Sequence, residues 1–564
     1  MRHSAQGSRG LFQGRAALWL VLLVVVGAPM VLLLAITFNS GDPEALPPVQ
    51  FGVSSVGRIF EHLDWIRNSL LFAVAVSVLS TTLGLGLAWV IARTDIRGKS
   101  WLSLLIILPY PMGAMVSVVA WSALGAENKG LINSALSLIL GHEVTPINMY
   151  SVAGVIVVEA LIQTPLAFLL IEAAARNMDS SLEESSIVLG AGRIRTARKV
   201  TLPLMLPSVV GSALFIFVAT LGAFAVPSVL GRTSGFRVAT QAVYLQFNSF
   251  TPNYPLAAGV GMLLVFISLV VVTASNQFLR RRSFAVVGGK ARPLTPLPLG
   301  KWRPLAAALV YGYLAIAVVL PLAALVFASV QRNNRLSLTR SSFTLDNFKY
   351  VLFDYDPTKQ SVLNSLGLGL ATAIIGVALA LWVALTVERN RRAGRGSRGL
   401  ELMAMAPQAV PHLIFGLALV VLILVLPGGL YGTVFALLIA YVVIFLPLAY
   451  RGVAGVTSQI DDSLSDAART LGAGQFRAAR TIVIPLLRPS LVATGTLLFI
   501  LCLTEVSASV MLSSTANRVL GPTMFNFYDS GGITLVSALA LVQVVIVAIA
   551  VAIIRKLSGR WTAL

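Results

Sequence analysis

The residues of this chain best placed for chemistry stand in two short polar stretches, and the chemistry they suit is docking. One stretch runs from Glu184 to Pro203 (ESSIVLGAGRIRTARKVTLP), the other from Asp466 to Pro485 (DAARTLGAGQFRAARTIVIP). Each presents an acid, two small residues, a glycine six places after the acid and a closing proline. These are Glu184, Ser185, Ser186, Gly190 and Pro203 in the first copy, and Asp466, Ala467, Ala468, Gly472 and Pro485 in the second. Corresponding members stand 282 residues apart, half the length of the 564-residue chain. The sequence therefore reads as a tandem duplication. A polar loop at the same place in both halves reads as a surface for a partner rather than as a mere connection.

Bond-making chemistry has no comparable candidate. The nearest approach to a phosphate-binding loop, Gly288, Gly289 and Lys290, is followed by Ala291 and lacks the first glycine of that pattern, so the chain has no means of hydrolysing ATP itself. His3, His62, His142 and His412 show no metal-ligand spacing, and no nucleophile with a paired base appears. The single cysteine, Cys502, lies in an apolar run and reads as a small buried residue, with no disulfide framework and no thiolate cluster. No metal site and no cofactor are expected, and the chain is read as a non-enzyme.

The elements that must position the polar loops follow from composition. Hydrophobic residues make up 57% of the chain and charged residues 11%, against about half and about a quarter in an ordinary soluble domain; the mean hydropathy is +0.86. Apolar runs of about 20 residues recur without strand-like alternation, which predicts an all-α polytopic membrane protein. Twelve spans are expected, at roughly 17–38, 68–92, 102–124, 150–174, 206–229, 255–277, 304–330, 363–387, 401–426, 429–450, 489–512 and 533–554. They fall into two tandem six-helix repeats, 1–282 and 283–564, with the polar loops near 179–203 and 461–485. The net charge of +20 is a topology signal: with the N-terminus inside, most Lys and Arg fall in the inner segments, so both termini are expected in the cytoplasm and no nucleic-acid partner is implied. The stretch Ala17 to Phe38 follows Arg2, Arg9 and Arg15 and is read as an uncleaved first span, being too long for a signal-peptide core. An inner linker, Asn276 to Arg303, rich in Arg, Lys, Gly and Pro, joins the halves.

The halves agree in detail. Asn68, Ser69 and Leu70 enter the second span as Asn364, Ser365 and Leu366 enter the eighth, and the outer segment Phe51 to Arg67 has its counterpart in Leu336 to Ser361. The first half carries a longer outer connection, Trp121 to Asn148; its stretch near 128–140 is either an interfacial or re-entrant helix or an ordinary loop. Pro109 and Pro111 break the third span and Pro407 and Pro411 the ninth, while Pro165 and Pro447 occupy matching places in the fourth and tenth. Such breaks either line a cavity or kink helices for packing. Glu159 in the fourth span and Glu505 in the eleventh are ionisable groups inside the membrane, which marks function by default. Facing a translocation path, they would suit a cationic cargo, including a hard ion that prefers oxygen; hydrogen-bonded at a helix break, they would serve packing. Tyr441 stands opposite Glu159 and Ala223 opposite Glu505, so a symmetric metal cage is not supported.

The polar loops carry helix punctuation. Asp179, Ser180 and Ser181 precede the first acid, and Asp461, Asp462 and Ser463 the second, so a helix is expected to start near Ser181 and near Ser463. Gly190 and Gly472 suit a left-handed C-cap, after which a second short helix carries Arg193, Arg195, Arg198 and Lys199, or Arg477 and Arg480. Small residues after the acid let another surface approach closely, as for a helix fitted into a groove on a cytoplasmic partner.

These loops resemble the EAA motif of type I ABC importer permeases, whose acid, two small residues, glycine and terminal Leu-Pro form a coupling helix. The resemblance covers both halves. It departs in having Ser185 and Ser186 for alanines, Asp466 for glutamate and Ile484 for leucine. Glu172 to Ala175 spell the motif's name, but Met178 stands where its glycine should. Within the family, LGAFAVPSVLG from Leu221, TEVSASVML from Thr504 and SFTLDNFKYVLF from Ser342 resemble the ferric-iron permease group, close to permeases for thiamine, aminoethylphosphonate and polyamines. The resemblance implies a cytoplasmic ABC ATPase dimer on the two loops, a periplasmic or extracellular substrate-binding protein at the outer face, and a bacterial inner membrane location. An ion-gradient-driven secondary transporter is the rival class, since it too can be built from six-helix repeats, but it leaves the duplicated loops without a purpose.

Overall fold

The computed structural model describes residues 16–558 apart from 49, 128–129, 177, 179–180, 282–298, 335, 337–341, 393, 395, 458–480 and 482–483. Among them stand ten helices long and apolar enough to cross a membrane: Ala16–Thr37, Leu63–Arg93, Val152–Arg176, Ala197–Leu221, Tyr254–Leu279, Gly300–Ser329, Asp356–Arg391, Val434–Thr457, Ile484–Thr504 and Ile533–Ile553. Two further spans are bent pairs, Lys99–Met112 with Ala114–Gly125 and Arg398–Ala409 with His412–Val425, folded by 95° and 105°. Counted in chain order these make twelve spans. Two isolated bridges, one in each half, join Asn39 with Phe51 and Gln331 with Phe343.

The duplication is visible in hydrogen bonds. Near the N-terminal end of the second span, Asn68 donates its side-chain amide to the Arg237 carbonyl (3.0 Å), and the Ser69 hydroxyl accepts the Ala239 N–H (2.7 Å) at the start of the short helix Ala239–Phe247. The eighth span repeats both bonds: Asn364 donates to the Arg518 carbonyl (2.9 Å), and Ser365 accepts the Leu520 N–H (2.9 Å) of Leu520–Asp529. The shared tripeptide is thus a borrowed N-cap. A long helix supplies the side-chain partners that a short neighbouring helix lacks in its own sequence.

The halves interlock through the bent spans. Ala114–Gly125 packs against the seventh and twelfth spans of the second half, and His412–Val425 against the first and sixth spans of the first. At the bend of the third span Gly113 has φ +88°, and a Cβ there would lie 2.7 Å from Thr504 Cβ. The position therefore needs glycine both for its left-handed backbone and for the close approach. Gln543 of the twelfth span donates to the Met112 carbonyl beside the bend (3.2 Å). At the opposite bend Pro411 packs on Gly222, the residue 282 places before Thr504. Each half thus seats its bend on the end of the other half's fifth-type span.

Two expectations change, and one left open is narrowed. The fifth and eleventh spans stop at Leu221 and Thr504, short of 229 and 512. A break and a short helix follow, Ala225–Leu230 in one half and Ser509–Leu512 in the other. The first break is apolar and the second carries Glu505 and Ser507 inside a longer apolar stretch, so hydropathy averaged over a span runs across both; Thr240 meets the freed Ala223 carbonyl (2.7 Å), and Glu505 serves the second break. Pro165 and Pro447 break nothing: both are buried inside continuous helices. Beside Pro165, Thr164 back-bonds to the Ala160 carbonyl one turn below (2.7 Å), and both prolines are enclosed by neighbouring helices, the setting in which a membrane helix carries proline. The outer stretch near 128–140 contains a ten-residue helix, Leu131–Leu140. At about 15 Å it cannot cross a bilayer core of about 30 Å.

Candidate functional site

The first polar loop forms the expected helix, Ser181–Val188. It ends as the sequence requires: Gly190 has φ +84°, its N–H reaches the Ile187 carbonyl (2.9 Å), and the Ala191 N–H reaches the Ser186 carbonyl (3.0 Å). These are the paired bonds of a Schellman cap, which needs a left-handed residue at its centre. The second helix, Arg193–Thr196, does not stand apart. It runs through a widened turn, Ala197–Thr201, directly into Leu202–Leu221, with Pro203 just beyond the widened turn, so the motif's closing proline lies inside one continuous helical run.

The helix and its cap show apolar side chains to solvent. Val188 and Leu189 are 85% and 87% exposed, and Leu182 and Ile187 are also exposed, so they border Ser185 and Gly190, which are exposed too. Four apolar side chains held in the open on a capped helix outside the spans are suited to burial against a second protein.

What fixes this helix to the spans was not singled out in the sequence. Glu183, next to Glu184 of the motif, forms an ion pair with Arg93 at the C-terminal end of the second span and accepts a hydrogen bond from Thr201. Ser186 and Thr196 share a hydrogen bond of 3.0 Å across the loop. Nearby, Glu172 accepts from Ser103 (3.0 Å) and from Arg176 (2.6 Å), so the motif's decoy has a packing partner of its own. Asp466, Ala467, Ala468 and Gly472 lie outside the described residues; Pro485 is described, in the first turn of Ile484–Thr504.

The two membrane carboxylates sit in separate environments. Glu159 is buried and accepts from Gln163 one turn along its own helix (2.9 Å). Glu505 is not within the eleventh helix but at the break just beyond it, where it accepts the Ala508 and Ser509 N–H groups (2.8 and 2.9 Å) and the Ser509 hydroxyl. His412, the first residue after the bend of the ninth span, places Nδ1 3.7 Å from Glu505 Oε1. Ser509 also bonds the Tyr441 hydroxyl (2.7 Å). The residue standing opposite Glu159 in the repeat therefore reaches Glu505 through one serine. Among the described residues no hydrogen bond joins Glu159 to Glu505, and no group of three or more His, Cys, Asp or Glu could hold a metal ion.

On the side opposite the polar loop, the halves close on each other. The Tyr150 and Tyr528 hydroxyls share a hydrogen bond of 2.6 Å, and Arg232 pairs with Asp529. Phe525 packs on Phe224 and Tyr244 with ring centroids 5.5 and 5.9 Å away. Burial pushes both phenols above their usual pKa, so the hydroxyl pair stays neutral. An open cleft of about 680 Å³ beside this contact is lined by Glu127, Asn148, Tyr150, Ser151, Thr233 and Ser234.

Comparison with known proteins adds identity to this geometry. Residues 15–284 and 376–562 match the family described as the binding-protein-dependent transport system inner membrane component. The ferric transport system permease protein of Actinobacillus pleuropneumoniae is 26% identical over 543 residues, 93% of this chain and 75% of that protein. The Fe(3+)-transport system permease protein of Haemophilus influenzae is 24% identical over 549 residues, 96% of this chain and 99% of that protein. The spermidine/putrescine transport system permease protein of Escherichia coli is 23% identical over 270 residues, 47% of this chain and 96% of that protein.

Proposed function

This chain belongs to the family of binding-protein-dependent transport system inner membrane components, and from that premise we propose that it imports ferric iron, driven by a separate cytoplasmic ATPase dimer docked on its two polar loops. The observation that carries the docking is the first loop itself: a helix capped at Gly190, with Val188 and Leu189 almost fully exposed, lying outside the spans. Glu184, Ser185 and Ser186 belong to that surface, with Asp466, Ala467, Ala468 and Gly472 as the second dock. The proposed domains are 1–282 and 283–564, one permease repeat each, with both termini in the cytoplasm.

Iron as cargo rests on relatives named for ferric transport along most of the chain. Cargo would pass near Glu505, at a break between helices, with Glu159 on the first-half side; Pro165 and Pro447 shape the helices there. A soluble binding protein would deliver it to the outer face, where the closed contacts around Tyr150 and Phe525 must part. ATP would close the ATPase dimer, draw the docking helices together and turn the halves outward; hydrolysis would reset them.

The test is ATPase stimulation in the reconstituted complex by binding protein loaded in turn with ferric iron, thiamine, aminoethylphosphonate or polyamine. Ferric iron is expected to stimulate. Stimulation by one of the others alone would reassign the cargo while leaving the coupling intact.

A further inference from the structure

We propose that the Arg93–Glu183 ion pair is the strut that carries movement of the docking helix into the second span and along it to the outer closure. The proposal rests on the reading of that helix as an ATPase dock. Arg93 is the last residue of Leu63–Arg93 and is 3% exposed. A guanidinium so far from water needs a counter-charge, since an unpaired buried charge is strongly destabilising. Glu183 supplies it, and the same carboxylate holds Thr201, itself buried at the base of the fifth span. One side chain therefore joins the docking helix to two spans.

The second span is a single helix of 31 residues, about 46 Å long at 1.5 Å per residue. At its far end Asn68 and Ser69 hold the residues that open Ala239–Phe247. That short helix carries Tyr244, whose ring meets Phe525 of the other half at 5.9 Å. A displacement of Glu183 is thus transmitted through a charged contact, a rigid rod and a side-chain cap to the outer contact between the halves. Glu184, the motif's acid, is left to face the partner, while its neighbour Glu183 faces the spans. Ser465 stands 282 residues after Glu183, so the corresponding position of the second loop has no carboxylate.

The experiment compares the unmodified chain, the neutral pair Arg93→Met/Glu183→Gln and the swapped pair Arg93→Glu/Glu183→Arg, each reconstituted with ATPase subunit and loaded binding protein. Capture of the ATPase, ATP hydrolysis and cargo uptake are measured together. The neutral pair removes both charges and so leaves no unpaired ion to unfold the protein. It is expected to capture the ATPase normally while uptake per ATP falls about tenfold, within the usual range of coupling between distant sites. The swapped pair is expected to recover uptake per ATP. Unchanged uptake per ATP in the neutral pair, loss of ATPase capture in that pair, or no recovery in a swapped pair that captures the ATPase would each overturn the strut. Failure of the unmodified chain to capture the ATPase would overturn the docking reading, and the strut with it.

Discussion

Gly190 allows the docking reading to be tested by the smallest possible change. Its φ of +84° lies in the left-handed region, and a Cβ at that position would meet nothing within 4 Å. The penalty of Gly190→Ala is therefore purely backbone, about 1–2 kcal/mol. Gly192, two residues on, also faces open space but has no left-handed backbone, so Gly192→Ala serves as a matched control. A loss of 1–2 kcal/mol shifts the ratio of capped to uncapped loop by roughly 5–30-fold. The capped form is the one that presents Ser185, Val188 and Leu189 together. In proteoliposomes containing the ATPase subunit and loaded binding protein, Gly190→Ala should lower stimulated uptake several-fold while Gly192→Ala leaves it unchanged. A bulky residue at both Gly190 and Gly472 should uncouple hydrolysis from uptake. Equal behaviour of the two alanine variants would refute the reasoning, because it would mean that the left-handed cap does not matter to coupling.

Three further outcomes follow from the contacts described. Ser69→Ala and Ser365→Ala each remove a cap from a short helix, Ala239–Phe247 or Leu520–Asp529, and should lower stability by about 1 kcal/mol, seen as a fall in melting temperature in detergent that is similar for the two because the bonds are equivalent. Glu505→Ala leaves the buried Ala508 and Ser509 N–H groups unpaired, at about 1–3 kcal/mol for each, whereas Glu159→Gln keeps the turn-to-turn pair with Gln163. The first should melt earlier, and the second should melt like the unmodified protein. Cysteines at Tyr150 and Tyr528, joined by a thiol cross-linker, should hold the outer face shut and abolish uptake. The native Cys502 is buried and should not react.

Much of the architecture was legible because single local signals decide it. Apolar runs set the spans, Pro109, Pro111, Pro407 and Pro411 mark the bends, and Ser181 and Gly190 bound the helix of the first polar loop. The misreadings occur where local signals are silent. Residues 222–224 and 505–508 interrupt two helices inside longer apolar stretches, with Gly222 and Glu505 as the sole local marks, so the sequence alone reads both spans too long and sets Glu505 inside one. Pro165 and Pro447 carry a breaker's chemistry in continuous helices, because neighbouring side chains and packing decide whether a membrane helix breaks. The tie from Arg93 to Glu183 spans ninety residues of sequence. The available clue was a charge ending an apolar run and a second acid beside the motif's own. Tyr150 with Tyr528, and His412 with Glu505, join positions that the fold alone brings together.

Uptake into proteoliposomes that contain this chain, with ATPase subunit, ATP and ferric-loaded binding protein each omitted in turn, tests the central claim most directly. Iron should accumulate only when all three are present, and should stop when ATP is replaced by an analogue that cannot be hydrolysed. Accumulation driven by an ion gradient in vesicles lacking the ATPase subunit would contradict the account.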